Sequence, residues 1–571
     1  MNDSSRSVIP ETHLTWNLYG SGYDKFGKFR KPERVITPRP GPGELLARID
    51  SVGICYSDVK LLNQGNSHPK LKGRNLSEEP ARPGHEISFT VVDIGQDLKN
   101  EIKIGDRYAI QPEIVIKHKR QSYGFSLAGG LTQYQIIGPE LLDTDQGKSI
   151  IQIKDSIGYA EASLLEPLGS VLASFDNQRR LTPKKDGRMW IIGNGWKSAP
   201  FTFSRYLDNP KFIFATDINP GLADLIRNAN GSSRITQGNN FESLRQMISS
   251  EAGGQGFDDI VLLNPQSADQ IQQVIKMINR GGLINLVGTE SLDKQVLFNP
   301  QRFHYDYVGL VGNSTADIAH SYGIENNRSN YKNQGTAILL GGGGPMGQLH
   351  LLWAITSNNG PSTILVLEIN QERAEHLKEK YAHLARSRQK ELHIVDPRDW
   401  ELELSRIALE ITGSPTIDDV ILLAPNQDLF EKAAALLHKG SMLNLFAGTP
   451  SGVNMLLDLS LSYLGNLQIT GSSGLEFSHI QKAYQLVRSG KIDLNSTIAA
   501  VGGMKAALEA IRAAETRRYA GKIIIYPQLE DLPLTSIQEL AAAYLDLHAA
   551  LGDQGQWTKN AEEKFLKLAD H

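Results

Sequence analysis

Residues 337–347 have the sequence AILLGGGGPMG, in which an apolar run passes directly into glycines, and the helix-like stretch QLHLLWAI follows. A strand, a glycine turn and a helix in this order are typical of a dinucleotide-binding βαβ unit. Gly342, Gly344 and Gly347 have the spacing GxGxxG, which permits a tight turn, close approach of a pyrophosphate and packing of the helix on the strand. The phosphates would then meet the N–H groups of the helix N-terminus. The stretch predicts a doubly wound α/β domain with a nucleotide site.

An acidic residue supports this interpretation. Glu368 ends the next apolar run, STILVLE at 362–368, 21 residues after Gly347 (368 minus 347). A carboxylate there can bind the adenosine ribose hydroxyls and repels a 2′-phosphate, which favours NAD(H) over NADP(H). Arg373 is close enough in the sequence to leave NADP(H) open, and a glycine turn beside a structural glutamate is the alternative interpretation. The residues assigned to the cofactor site are Gly342, Gly344, Pro345, Met346, Gly347, Glu368 and Arg373.

The α/β pattern occurs twice. Four blocks recur in the same order about 150–160 residues later, as expected for an internal repeat. The pairs are ATDIN at 215–219 with VLEIN at 366–370, FDDIVLL at 257–263 with IDDVILL at 417–423, GGLINLVG at 281–288 with GSMLNLFAG at 440–448, and YVGLVGNS at 307–314 with LQITGSS at 467–473. Two successive Rossmann-like domains are the simplest account.

The first copy lacks the glycine fingerprint. Its turn is MWIIGNGWKSA at 189–199, and alignment of Gly187 with Gly335 places Trp196 opposite the glycine that admits the pyrophosphate. We expect this copy to keep the fold and to have lost ordinary dinucleotide binding. A shifted alignment retains Gly193 and Gly195 and leaves a second, unusual nucleotide site as the alternative.

The rest of the chain differs in pattern. Residues 1–160 are β-rich, the Asn-rich segment 324–335 predicts a linker, and the stretch from about 534 predicts one or two amphipathic helices. The predicted divisions are a catalytic β domain at 1–170, a degenerate Rossmann domain at 171–323, an NAD-binding Rossmann domain at 324–494, a returning segment at 495–530 and a C-terminal helical extension at 531–571.

Bulk composition excludes several classes of protein. The 571 residues are 40% hydrophobic and 21% charged with a net charge of −4, which offers no basic field for nucleic acid. No apolar run approaches the roughly 20 residues that span a bilayer. The N-terminal residues lack a charged-then-apolar leader, and the single cysteine excludes an intrachain disulfide, so we expect a cytoplasmic protein.

Potential zinc ligands occur in four informative places. Cys55 lies in GICYSD, His85 and Glu86 lie in PGHE, and Glu166 lies in LLEPLGS. Zinc accepts thiolate, imidazole and carboxylate ligands, and a catalytic site keeps one position open. Ser57, two residues after the cysteine, can relay a proton, and Asp58 can orient a ligand. Each residue alone is more often an ordinary buried or paired side chain, and the set in this order is what points to a metal.

GICYSD, GHE about thirty residues later, GDRYAIQP, GGLTQYQIIGPELL and LLEP together resemble the catalytic domain of zinc-dependent medium-chain dehydrogenases. Glu-Pro at 166–167 resembles the sorbitol and threonine dehydrogenase branch. The resemblance covers nearly the whole chain apart from the extra domain and the tail. It implies a GroES-like β domain with a Rossmann domain, which the repeat predicts to be present twice here, and reversible hydride transfer between an alcohol and NAD(H).

The resemblance also implies roles for individual residues. Cys55, His85 and Glu166 would be direct zinc ligands, Glu86 a ligand that alternates with water or another carboxylate, and Ser57 the proton relay. Many relatives carry a second zinc on four cysteines. This chain has no cysteine in that lobe, so we expect one zinc.

Finer details, including LLNQGNSH at 61–68, SYGFSLAGG at 122–130 and GKIIIY at 521–526, resemble L-sorbose-1-phosphate reductases. The expected substrate is a polyol or sugar phosphate with a secondary alcohol, and no nucleic-acid or membrane partner is expected. A dehydrogenase of an unphosphorylated polyol, amino alcohol or cyclitol, and a non-catalytic NADH sensor, are the alternatives. Candidate phosphate contacts are Lys60, His68, Lys70, Lys72 and Arg74.

Paired subunits of this family join their nucleotide domains edge to edge. We therefore predict that the first copy acts as a built-in partner that covers the edge strand of the second, which protects that edge from promiscuous pairing. A homodimer is also compatible with the sequence.

Overall fold

The computed structural model describes residues 9–71, 73–176, 180–193, 200–236, 256–400, 403–424, 426–448, 452–472 and 474–569. The chain divides into two compact units. The first unit comprises Met1–Val171, Gly344–Leu352 and Gly474–His571, and the second comprises Leu172–Gly343 and Trp353–Ser473. Among the helices of the described residues, none combines the length and the apolar character needed to cross a bilayer.

The first unit begins with nine short or medium strands, most of them antiparallel to their neighbours. They are β1 (Thr12–Thr15), β2 (Glu33–Ile36), β3 (Leu45–Ile54), β4 (Glu86–Ile94), β5 (Arg107–Ile110), β6 (Glu113–Ile116), β7 (Lys119–Ser122), β8 (Tyr134–Ile137) and β9 (Ile150–Ile153). The Val/Ile-rich runs and the intervening turns therefore form the β-rich region that the sequence predicts.

The second unit contains two six-stranded parallel sheets. The first is built from β10 (Arg188–Ile192), β11 (Phe212–Thr216), β12 (Ser233–Thr236), β13 (Phe257–Leu263), β14 (Ile278–Val287) and β16 (Gly309–Asn313), with β15 (Val296–Phe298) outside it. Its strand order is β12-β11-β10-β13-β14-β16, the doubly wound order of dinucleotide-binding domains.

The second sheet repeats that order. Its strands are β17 (Thr336–Leu340), β18 (Thr363–Leu367), β19 (Glu391–Val395), β20 (Asp419–Leu422), β21 (Met442–Asn444) and β23 (Gln468–Thr470), with β22 (Met455–Leu457) outside it. The order β19-β18-β17-β20-β21-β23 places the two copies of each repeated sequence block on corresponding strands. The prediction of two tandem Rossmann domains is confirmed.

The chain then returns to the first unit. β24 (Ile498–Gly503), β25 (Lys522–Tyr526) and β26 (Thr535–Ser536) complete an eight-stranded sheet in the order β26-β24-β25-β3-β4-β5-β9, with β8 also paired to β3. β25 runs antiparallel to β3, with Ile523 opposite Ile54. The central strand β3 is therefore flanked by β4, made early in the chain, and β25, made almost 500 residues later.

Helices cover the sheets of both units. Those of the first unit are Tyr56–Gln64, Pro139–Leu142, Tyr159–Ser163, Phe477–Arg488, Ala507–Thr516, Ile537–Ala543, Leu545–His548 and Lys559–Ala569. Those of the second unit are Pro220–Ala229, Ala268–Met277, Gln301–His304, Gln371–Ser387, Leu404–Thr412, Gln427–Ala434 and Ser460–Leu464. Leu165–Phe175 and Pro345–Thr356 are the helices at which the chain changes unit.

The two Rossmann domains share a pattern of ion pairs that sequence comparison alone does not reveal. In each, an arginine and a lysine before the first strand pair with two consecutive aspartates at the fourth strand. Arg180 pairs with Asp259 (2.6 Å) and Lys184 with Asp258 (2.7 Å), as Arg328 pairs with Asp419 (2.5 Å) and Lys332 with Asp418 (2.6 Å). Both cations recur at an offset of 148 (328 minus 180; 332 minus 184). This matched set of contacts supports descent from one duplicated domain.

The two sheets contact each other within the second unit. β15 pairs with β22 in an antiparallel ribbon, and the edge strands β16 and β23 touch. Gly312 on β16 leaves room for Tyr463, whose hydroxyl donates to the Glu290 carbonyl at 2.7 Å. The prediction that the first copy covers the edge of the second is therefore compatible with the observed packing.

The predicted linker is a tightly bonded segment. Asn327 Nδ2 donates to the Ser321 and Gly323 carbonyls, and Arg328 anchors the following sheet. Tyr331 is buried. The segment joins the two copies, as predicted. Its polar side chains form hydrogen bonds with the protein rather than with water alone, and these bonds hold the segment in place.

The C-terminal residues pack on the first unit. Trp557 and Phe565 are buried, and Glu562 accepts hydrogen bonds from the N–H groups of Tyr159 (2.6 Å) and Ala160 (2.7 Å). Its carboxylate also accepts from the Tyr526 hydroxyl at 2.8 Å. Glu562 therefore caps the helix Tyr159–Ser163 from the far end of the chain.

Candidate metal centre and nucleotide loop

Cys55 occupies the junction between β3 and the helix Tyr56–Gln64. Its backbone N–H donates to Asp58 Oδ2 at 2.9 Å, and the Asp58 N–H donates to the Cys55 carbonyl at 3.0 Å. An aspartate in the first helical turn satisfies a free N–H group and suits the positive end of the helix dipole. The local hydrogen bonds thus fix the thiol at the end of the strand.

The same aspartate holds the second motif. Asp58 is fully buried, and its Oδ1 accepts from the Gly84 N–H at 3.1 Å. Gly84 has φ +93°, a conformation that favours glycine, and it turns the chain so that His85 precedes β4. His85 Nδ1 lies 3.7 Å from Asp58 Oδ1. Asp58 therefore occupies the orienting position that the sequence predicts.

Three of the four predicted ligands come together. One potential ligand atom from each of Cys55, His85 and Glu86 lies within 4.8 Å of the others. Ser57 Oγ lies 3.3 Å from His85 Nε2, so the predicted relay hydroxyl is beside the cluster. Sulfur, nitrogen and oxygen donors at this separation are a set that zinc accepts.

Glu86 has a partner that the sequence analysis missed. Lys522 Nζ lies 2.5 Å from Glu86 Oε1, and both side chains are buried. The other oxygen, Oε2, is buried without a hydrogen-bond partner among the described residues. A methyl group at Gly53 would lie 2.2 Å from it, so glycine is required there to leave the carboxylate room. The sequence signal that could have indicated this partner is Lys522 itself, a charged residue at the start of the apolar strand GKIIIY.

Glu166 lies outside the three-residue cluster, but the charges of the cluster affect its pKa. It is buried near the start of the helix Leu165–Phe175. Burial raises its pKa to about 7, the positive charge of His85 opposes the rise and the negative charge of Glu86 adds to it. Its role as a direct ligand stays a prediction.

The electrostatics of the cluster suit a cation. Burial disfavours charge on His85, but Asp58 and Cys55 outweigh burial and raise its pKa well above the usual value. Attraction to Glu86 and Cys55 likewise outweighs burial and raises the pKa of Lys522. A centre that stabilises positive charge and has an unbonded carboxylate oxygen fits a divalent metal.

The glycine loop of the second Rossmann domain lies between β17 and the helix Pro345–Thr356. The Gly343 N–H donates to Glu368 Oε2 at 2.9 Å, and Glu368 Oε1 accepts from the Asn370 N–H at 2.9 Å. A methyl group at Gly343 would lie 2.2 Å from this carboxylate, whereas one at Gly344 would meet nothing within 4 Å. Glu368 therefore lies against the turn, and Gly344 leaves open space. The corresponding fingerprint positions of the first copy, 194–199, lie outside the described residues.

Known proteins resemble parts of this chain. The model of the alcohol dehydrogenase GroES-like domain matches residues 41–142. A mannitol-1-phosphate 5-dehydrogenase of Aliivibrio fischeri is 25% identical over 313 residues, 50% of this chain and 72% of that one. An L-sorbose 1-phosphate reductase of Klebsiella pneumoniae is 25% identical over 307 residues, 50% and 73% of the two chains. A sorbitol dehydrogenase of Gallus gallus is 32% identical over 179 residues, 30% and 46% of the two chains.

The GroES-like domain match and these relatives support a place for the chain in the zinc-dependent medium-chain dehydrogenase/reductase superfamily. The crystal structure of an Escherichia coli oxidoreductase/dehydrogenase of unknown specificity has the same fold, with a TM-score of 0.51 and 14% identity over 90% of this chain and 99% of that one. The GroES-like and Rossmann fold class predicted from the sequence is confirmed. The protein is an oxidoreductase of the alcohol dehydrogenase type.

The candidate phosphate contacts are mostly engaged elsewhere. Arg74 donates to the backbone carbonyls of residues 79, 80, 125 and 126. Lys70 pairs with Glu113 and donates to the Ser122 hydroxyl at 2.8 Å. His68 is buried, and burial with the neighbouring lysines lowers its pKa to about 4. Lys60 lies over the Tyr56 ring, and Lys72 lies outside the described residues.

Proposed function

We propose that the protein is a zinc-dependent oxidoreductase that interconverts a secondary alcohol of a polyol or sugar phosphate and its ketone with NAD(H). The observation that supports the proposal most is the grouping of Cys55, His85 and Glu86 within 4.8 Å, with the Ser57 hydroxyl beside them. A binding protein has no need of a relay serine next to an open metal centre.

Cys55 and His85 would hold the metal, Glu86 would bind it in alternation with water, and Glu166 would provide a further carboxylate. Zinc, when bound, supplies a Lewis acid for the reacting oxygen, and the nicotinamide supplies or accepts the hydride. The Ser57 hydroxyl would accept the proton of the substrate hydroxyl while it passes its own proton on towards solvent during oxidation, and the reverse transfers would occur during reduction. Asp58 would keep Cys55 and His85 in place.

The glycine loop would hold the cofactor. Gly342, Gly344 and Gly347 would admit the pyrophosphate, with Pro345 and Met346 beside it, and Glu368 would face the adenosine ribose. The carboxylate of Glu368 supports NAD(H), because a 2′-phosphate would be repelled. Arg373 keeps NADP(H) as the alternative.

One observation favours the unphosphorylated substrate as a second candidate. Lys70 is paired with Glu113, and Arg74 is committed to backbone carbonyls, so neither is available to a phosphate without losing these bonds. The relatives named for phosphorylated substrates favour the sugar phosphate.

The proposal is tested by measuring NADH oxidation by the zinc-loaded protein with a panel of ketoses and the corresponding ketose phosphates. The Cys55→Ala variant is measured in the same way. We expect turnover that requires both zinc and Cys55. The preferred ketose decides between the two substrate classes. A protein that binds zinc and NADH but reduces none of the panel would contradict the enzymatic function and favour an NADH sensor.

A further inference from the structure

The first unit contains a cleft that is distinct from the candidate metal cluster. Its volume is about 400 Å³, and its walls come from β2, β8, the segment 123–128 and the helix Pro139–Leu142. None of the candidate zinc ligands lines it. The volume is that of a site for a small molecule.

Arg82 lines this cleft without a partner. Its Nε–H is buried and donates to no acceptor among the described residues, and none of them forms a hydrogen bond or ion pair with its guanidinium. Burial lowers the pKa of Arg82, and the charges of Tyr123 and Glu33 offset this only in part. The side chain is partly buried, and its Nε–H has neither water nor a described protein acceptor, which is costly for one of the five N–H donors of a guanidinium.

Three other arginines of the first unit have at least one protein acceptor. Arg48 pairs with Asp50 at 2.9 Å, and Arg107 donates to the Ile157 carbonyl at 3.0 Å, although the Arg107 Nε is itself buried without a partner among the described residues. Arg74 donates to four carbonyls, as described above. Arg82 differs from these three because none of its guanidinium nitrogens has an acceptor among the described residues.

The polar groups around the cleft do not neutralise this charge. His13 is bonded to the Thr37 and Thr132 hydroxyls, and burial together with the charges of Arg82 and Arg34 lowers its pKa to about 4, so its ring is neutral at pH 7. The Tyr123 hydroxyl donates to Gln135 at 2.7 Å.

Two carboxylates are near, and each has other partners. Glu33 accepts from the Tyr19 hydroxyl at 2.6 Å and pairs with Lys28 at 2.9 Å. Glu140, in the wall of the cleft, accepts from the Gly138 N–H at 3.2 Å. Arg82 is thus the cationic side chain among the residues that line the cleft. The carboxylate of Glu140 lies in the same wall but forms no ion pair with it.

We propose that this cleft binds a small oxyanion, a carboxylate or phosphate group, through the guanidinium of Arg82. The planar fork of arginine matches two oxygens of either group, and the absence of a protein partner leaves the donors available. The site is separate from the proposed dehydrogenase activity and does not depend on it.

Calorimetric titration of the full-length, zinc-loaded protein at low ionic strength tests the proposal. Inorganic phosphate and citrate are the two probes, and their relative affinity distinguishes a phosphate site from a carboxylate site. We expect one-to-one binding by the wild type, at least tenfold weaker binding by Arg82→Lys, which keeps the charge but loses the fork, and none by Arg82→Met. Arg39→Met, which removes an exposed arginine 3.9 Å from Asp93, is the control and should bind as the wild type does.

Thermal unfolding provides a readout independent of heat signals. The wild-type midpoint should rise with the anion, and that of Arg82→Met should not, because only the former gains linked binding free energy. Glu140→Gln should tighten binding by removing a like charge. Binding that persists in Arg82→Met would place the anion elsewhere and overturn the proposal. The proposal would also be overturned if the wild type neither bound the anion nor was stabilised by it. It would likewise be overturned if Glu140→Gln bound the anion no more tightly and unfolded at a lower temperature, because Glu140 would then be the partner of Arg82 in solution.

Discussion

Lys522 Nζ lies 2.5 Å from Glu86 Oε1 in the interior of the first unit, and the two residues are 436 positions apart in the chain. The contact joins β25 to the first residue of β4, on either side of β3. It fixes one oxygen of a predicted metal ligand and leaves the other unbonded. The returning segment therefore contacts the candidate metal centre and does more than complete the sheet.

Lys522→Met should destabilise the metal-free protein by about 3 kcal/mol or more, because removal of one member of a buried pair leaves an uncompensated charge. Zinc should restore part of this loss, since it offers Glu86 another cation. Urea unfolding with and without zinc measures both effects. Lys505→Met is the matched control, because Lys505 pairs with Asp531 at 2.6 Å on the surface, and we expect at most about 1 kcal/mol there. Equal losses in the two variants would contradict the importance of the buried pair.

Ser57→Ala should lower kcat by about 100-fold or more, because a positioned proton relay contributes roughly that factor. Zinc content should stay unchanged, since the serine is not a predicted ligand. Ser57→Thr keeps the hydroxyl and should retain more activity than alanine. Ser67→Ala, which removes a hydroxyl bonded to the Gln64 carbonyl on the surface, is the control. Loss of zinc in Ser57→Ala would show a structural role instead of a relay.

Glu161 should make stability fall as pH rises. Burial and the charge of Asp493 raise its pKa to about 8 from the ordinary 4.5. Between these values the folded state holds a proton that the unfolded state has lost, so the free energy of unfolding is highest near pH 4.5 with respect to this group and decreases towards pH 8. Glu161→Gln should therefore gain stability over the wild type at pH 8 by a few kcal/mol and much less at pH 5. Urea unfolding at both pH values measures the difference, and exposed Glu509→Gln should show no such pH dependence. A constant difference across pH would contradict the raised pKa.

Glu368→Gln should weaken discrimination against NADPH by roughly tenfold, about 1.4 kcal/mol, since it removes the charge that repels a 2′-phosphate. The amide oxygen can still accept from the Gly343 N–H, but the amide nitrogen cannot accept from the Asn370 N–H, so the loop should keep its turn at some cost in stability. Fluorescence titration with NADH and NADPH measures the ratio. Glu372→Gln removes a charge four residues further along the chain, in the first turn of the helix Gln371–Ser387, and should leave that ratio near the wild-type value. If both variants behave alike, general electrostatics and not Glu368 sets the preference.

The sequence predicted those features that depend on local motifs. The glycine turn, the repeated strand blocks and the order of Cys55, His85 and Glu86 each follow from residues close together in the chain. The ligands meet because β3 and β4 are neighbours, which hydrophobic patterning and the family resemblance both favour.

Features that depend on distant pairs were not predictable. The FDDIVLL and IDDVILL blocks were evident as repeats, but their aspartates bind cationic side chains 74–91 residues away, such as Arg180 at Asp259. Lys522 and Arg82 are single charged residues whose surroundings are set by the folded sheet. No local spacing distinguishes a buried, paired lysine from a solvated one, because burial depends on register between strands.

The cap that Glu562 provides has a consequence for the order of synthesis. Ala160 and Glu562 are 402 residues apart. At roughly 5–20 residues per second, a ribosome needs roughly 20–80 s to make that stretch. Until β25 is made, the Val52–Ile54 end of β3 lacks the partner that it has in the folded protein and remains an open edge, a template for wrong pairing. The thiol of Cys55 has meanwhile been made, but Lys522 has not. Both Rossmann domains emerge in this interval and can fold first, so nascent chains stalled before residue 522 should depend on chaperones in a way that the finished protein does not.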